Sequence, residues 1–147
     1  MVLFKEMMGI REDIERKFVE AFVQPKRRER SSFELGSKKK RRDFFVKLCH
    51  GYMDILDHRF MVQIPPPNSD PGMILRLMEE RGAGTDCYVM SYHTERDGDT
   101  KKLSQALEEG VGNGMAIVIV SDPEKLAYFE AEQELGPPPR FLLERKR

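Results

Sequence analysis

Cysteine is scarce in this chain of 147 residues. Cys49 and Cys87 are too few for a disulfide framework and suit a reducing compartment. Long apolar runs are missing too: the longest, residues 115–120, falls far short of the roughly 20 residues that a bilayer helix needs, so a membrane partner is not expected. Lys5 and Glu6 interrupt the apolar start and no small-residue cleavage site follows, so a signal peptide is not expected either. No internal repeat is visible. Net charge is zero, with 25 Lys and Arg against 25 Asp and Glu, although 34% of the residues are charged. With 39% hydrophobic residues and a mean hydropathy of −0.56, the chain reads as one soluble globular domain with a charged surface, cytoplasmic in location.

The zero net charge conceals an asymmetry. Residues 26–42 hold nine basic side chains (Lys26, Arg27, Arg28, Arg30, Lys38, Lys39, Lys40, Arg41 and Arg42) and two acidic ones, a net of +7 that leaves −7 on the rest. A basic arm on an acidic body can bind polyanions by releasing condensed counterions. Phe33 is the only ring in the arm, so base stacking is weakly supported. The pair Lys26-Arg27, ten residues and then five consecutive cations also match the spacing of a bipartite nuclear localisation signal, which would matter in a eukaryotic source.

Periodicity predicts the elements. Leu3, Met7, Ile10, Ile14, Phe18 and Phe22 form one stripe, which gives an amphipathic helix over 1–24 ended by Pro25. Residues 25–41 have little periodicity and read as a linker. A helix follows over 42–57, then a strand over 59–64 stopped by three prolines, a short helix begun by Asp70-Pro71, and a strand over 86–92. A helix over 101–109 precedes residues 115–120, which have no polar face and read as a central strand buried on both sides. Strands over 125–132 and 140–144 end the chain, the last on an edge. Strands alternating with helices predict parallel crossovers, and the closely spaced last three predict an antiparallel meander. The expected fold is therefore α/β (α+β mixed), with a single mixed sheet of about five strands in a domain spanning 42–147.

No group of residues specifies a reaction. The glycines at 110, 112 and 114 follow a helix and precede a strand, the reverse of a phosphate-binding loop, and read as a helix cap and tight turn. Asp97-Gly98-Asp99, followed by Thr100, has the Asp-x-Asp spacing of aspartyl phosphotransferases but sits five residues beyond its strand, in what reads as a surface turn. Cys49, His50, His58, Cys87 and His93 show no metal-ligand spacing, so no metal and no cofactor are expected. Cys87 and His93 are too far apart on an extended segment to act together, and Glu130 with Glu132 would share one strand face as solubilising carboxylates. The methionines fall mostly at core positions.

Three functional readings follow, in order. The first is a non-enzymatic interaction or regulatory module, with Leu3, Met7, Ile10, Ile14, Phe18 and Phe22 presented to a protein partner or to a second copy. The second is nucleic-acid association through the nine cations of residues 26–42. The third is a small enzyme with its site at the carboxyl ends of parallel strands, near Pro65, Ser69, Tyr92 and Thr94.

Overall fold

The computed structural model describes residues 8–146. Among them are five α-helices and six strands: α1 (Glu12–Phe22), α2 (Arg28–Gly36), α3 (Arg41–Ile55), β1 (Met61–Gln63), α4 (Pro71–Glu80), β2 (Asp86–Ser91), β3 (Thr100–Lys102), α5 (Leu103–Gly110), β4 (Ile117–Asp122), β5 (Leu126–Glu130) and β6 (Arg140–Glu144). The sheet has the order β1-β6-β5-β4-β2-β3, and every neighbouring pair is antiparallel. Among the described residues no helix is long and apolar enough to cross a membrane.

Alternation along the strands divides the core in two. One face carries Tyr88, Met90, Val118, Val120, Ala127, Phe129 and Leu143 against α1, α2 and α3; the other carries Cys87, Val89, Ile117, Ile119, Tyr128 and Leu142 against α4 and α5. Both faces are covered, which is why β4 can be apolar at successive positions. Phe18 and Phe22 of α1 are fully buried in the first layer, with ring centroids 5.5 Å apart. The chain leaving α1 is stitched to the end of α3 by Gln24 N–H to Ile55 O and Asp57 N–H to Phe22 O, both 2.8 Å. Asp70 caps α4 by accepting from Gly72 N–H at 2.9 Å, with Pro71 at the first helical position.

Five expectations are corrected. Among the described residues no parallel ladder forms, because the strand order contains an element that the periodicity does not reveal. β3 returns the chain alongside β2, α5 carries it back across the sheet, and β4 therefore enters antiparallel to β2. The sheet accordingly has six strands rather than five. β6 is not an edge: it lies between β5 and β1, and the edges are the three-residue strands β1 and β3. Short edges limit pairing with other chains. Residues 25–41 are not a linker, since a 3₁₀ turn at Pro25–Arg27 and α2 fold them onto the first layer, burying Ser31, Glu34 and Leu35. The first helix among the described residues is Glu12–Phe22, preceded by a turn at Met8 and Gly9; Leu3 and Met7 lie outside the described residues.

Candidate functional site: a groove over a buried ion cluster

The first turn of α3 meets the loop 92–99 that links β2 to β3, and Arg41 lies buried between them. Its guanidinium uses all five N–H groups. Nη1 and Nη2 donate to Glu15 Oε1 and Oε2 at 2.8 and 2.6 Å, Nε and Nη2 to Asp97 Oδ2 and Oδ1 at 2.7 and 3.0 Å, and Nη1 to Leu35 O at 3.0 Å. Two forked carboxylate pairs on one guanidinium match its planar donor geometry. Tyr88 donates to Glu15 Oε2 at 2.6 Å, and Ser91 N–H donates to Asp97 Oδ1 at 3.1 Å. Burial raises the Tyr88 phenol well above its usual range, and the charge of Glu15 adds to this. Burial alone would lower Arg41, but the hydrogen bonds and charges of Glu15 and Asp97 outweigh it and raise it further.

Above this cluster opens a groove of about 280 Å³. Met8, Phe45 and Tyr92 provide its apolar walls, Ser91 and Thr94 provide hydroxyls, and Lys38 and Arg42 stand at its rim. The Arg42 guanidinium lies 4.5 Å over the Tyr92 ring and donates to its hydroxyl. Met8 reaches the groove because the backbone passes directly across Gly98. A Cβ at Gly98 would stand 2.1 Å from Met8 O, and φ there is +87°. Only glycine fits both demands. Two carboxylates against one guanidinium leave the floor at −1, and Lys38 with Arg42 bring the groove to +1.

The structure divides the nine cations of residues 26–42. Arg41 is inside, out of reach of any polyanion. Arg27 Nε and Arg28 Nε donate to Asp54 O and Val23 O, and Arg30 lies 3.4 Å from Glu34 and over the Phe33 ring. Lys40 stands 4.0 Å from Asp43. Among the described residues, Lys26, Lys38 and Lys39 have no ion-pair partner. Of the apolar stripe expected to face a partner, Ile10, Phe18 and Phe22 are buried in the chain's own core and Ile14 packs against it.

Other sequence candidates resolve differently. Asp97 is a buried partner of Arg41 rather than part of a surface turn. The glycine turn after α5 does hold an anion, but an internal one: Gly112 N–H donates at 3.0 Å to both carboxylate oxygens of Glu130. Glu130 is fully buried and also accepts from Arg140 Nε at 2.9 Å and Tyr128 Oη at 2.8 Å, while Arg140 donates to Asn68. Glu130 and Glu132 therefore form no pair, since β5 ends between them. Cys49 and Cys87 are free and buried, and burial pushes the Cys87 thiol up to about 11. His50, on α3, lies 2.9 Å from Glu132 and 3.4 Å from Glu134, carboxylates that no local spacing could have associated with it. With the strands antiparallel, Pro65 and Ser69 do not join Tyr92 and Thr94 at a common set of parallel strand ends. No family model matches the chain, and no curated protein or solved structure matches it significantly.

Proposed function

We propose that the protein is a non-enzymatic interaction module that takes an acidic segment of a protein partner in the groove between α3 and the β2–β3 loop. The observation that carries this reading is an apolar slot with two rim cations above a floor whose ionic groups already satisfy one another. Arg41 and Asp97 have no free donor or fork to offer a reacting substrate, and the Ser91 hydroxyl accepts from His93 N–H at 3.0 Å. Lys38 and Arg42 can still meet a carboxylate, and Phe45 and Tyr92 can hold an apolar side chain beside it. The surface differs from the stripe of α1, whose apolar face already has its cover.

The test is fluorescence anisotropy with a labelled peptide carrying one phenylalanine among glutamates. Saturable binding is expected, weakened tenfold or more in the Lys38→Ala, Arg42→Ala double variant and unchanged in Lys26→Ala. Equal binding to the double variant refutes the reading. Random duplex DNA in the same assay separates the second reading: tighter binding to the duplex than to the peptide, lost in the same variant, would make this corner a nucleic-acid surface.

A further inference from the structure

We propose that His50, Glu132 and Glu134 form a site for a divalent transition-metal ion that ties α3 to the connection between β5 and β6. His50 projects from α3, and the two carboxylates come from the segment just after β5. His50 Nδ1 lies 2.9 Å from Glu132 Oε2 and 3.4 Å from Glu134 Oε1, and one ligand atom from each residue lies within 4.8 Å of the other two. A four-coordinate ion with bonds of about 2.0–2.1 Å separates its ligands by roughly 3.3 Å, and the two imidazole–carboxylate separations are close to that edge length.

Two further observations favour an ion. The backbone around the carboxylates is pinned, since Ala131 N–H donates to Pro139 O at 3.1 Å and Gln133 N–H donates to Gly114 O at 3.0 Å. Among the described residues, neither carboxylate has a lysine or arginine partner, so two like charges are held together with only an imidazole between them. A cation shared by all three relieves that repulsion. One nitrogen and two oxygens suit zinc, cobalt or nickel rather than magnesium or calcium, which take oxygen ligands alone. All three residues reach solvent, so water can complete the coordination. Gly51, next to His50, departs from helical geometry at φ −126° and ψ 35°. An ion on His50 would therefore brace α3 at its kink.

Calorimetric titration of the tag-free full chain with zinc chloride tests this. One site per chain is expected, with affinity reduced at least tenfold in His50→Ala and in Glu132→Gln, and unchanged in His93→Ala. Cobalt substitution should give a visible spectrum without a thiolate charge-transfer band, since Cys49 is not a ligand. Circular dichroism checks that each variant is folded. No zinc binding by the wild type, or binding that survives His50→Ala, overturns the site, and a thiolate band overturns the ligand set.

Discussion

Replacing Arg41 with methionine should cost more than any surface change, because three buried charges depend on one another. The side chains of Arg41, Glu15 and Asp97 are 7%, 6% and 4% exposed. Removing the guanidinium eliminates five hydrogen bonds and leaves two carboxylates buried without a cation. Breaking a buried pair from one side costs about 3–5 kcal/mol, a large part of the 5–15 kcal/mol typical of a whole domain. The melting midpoint should fall by about 10 °C or more. Arg41→Lys keeps the charge but has three donors for two forks and should fall between. The informative control is the triple variant Arg41→Met, Glu15→Gln, Asp97→Asn, which removes every charge and should be more stable than Arg41→Met alone. Urea unfolding followed by far-ultraviolet circular dichroism at pH 7 measures all of these, provided the denaturant slope stays constant. A loss below about 1 kcal/mol in Arg41→Met, or a triple variant no more stable than the single one, would refute a charge-coupled joint between α1, α3 and the β2–β3 loop.

Two other expectations follow from the same packing. Gly98→Ala meets both the Met8 carbonyl oxygen and a positive φ, whereas Gly114→Ala has φ +95° and nothing within 4 Å of its Cβ. The first should therefore lose more than the roughly 1–3 kcal/mol of backbone strain that both carry, as read by chemical denaturation, and equal losses would contradict the crossing. The Cys87 thiol, raised by burial from 9.0 to about 11, holds its proton in the folded state where the unfolded chain releases it. Stability contributed by that difference is intact below about pH 9 and declines, by at most about 2–3 kcal/mol, as pH rises toward 11. Unfolding at pH 8 and 10.5 should show a smaller decline in Cys87→Ala; an identical decline would assign it elsewhere, Tyr88 and Tyr128 being raised in the same direction.

Elements that bury a regular apolar stripe were legible. α3 repeats Phe44, Phe45, Leu48 and Cys49 at helical spacing, α4 begins on Asp70-Pro71, and the apolar run of β4 could only be a strand covered on both faces or a buried helix too short to stand alone. β3 was not legible. Its sequence is Thr-Lys-Lys, and pairing with β2 rather than its own pattern makes it a strand. That omission also hid the antiparallel topology. α2 failed for a similar reason, because two of its three buried side chains are polar. Glu34 is tolerable there because Lys47 reaches it at 2.6 Å from α3 and Arg30, one turn earlier in α2, lies at 3.4 Å. The ion cluster and the histidine site join residues far apart in the chain, Arg41 to Asp97 across 56 positions and His50 to Glu134 across 84. No local window contains such pairs.

The basic run shows how folding changes the meaning of a charge count. Nine cations acting together would release counterions with a logarithmic salt slope of about eight. Folding directs Arg41 inward, Arg27 and Arg28 to backbone carbonyls, and Arg30 to Glu34. Of the five that remain, Lys26 stands apart in the 3₁₀ turn, while Lys38, Lys39, Lys40 and Arg42 lie together at the start of α3, and those four give a slope of only three to four. Duplex DNA titrated across a salt series therefore separates two pictures of the same sequence. A slope near eight would mean that the helical packing of residues 28–36 is given up on binding, and a slope of three to four that the run acts only where the fold has left it free.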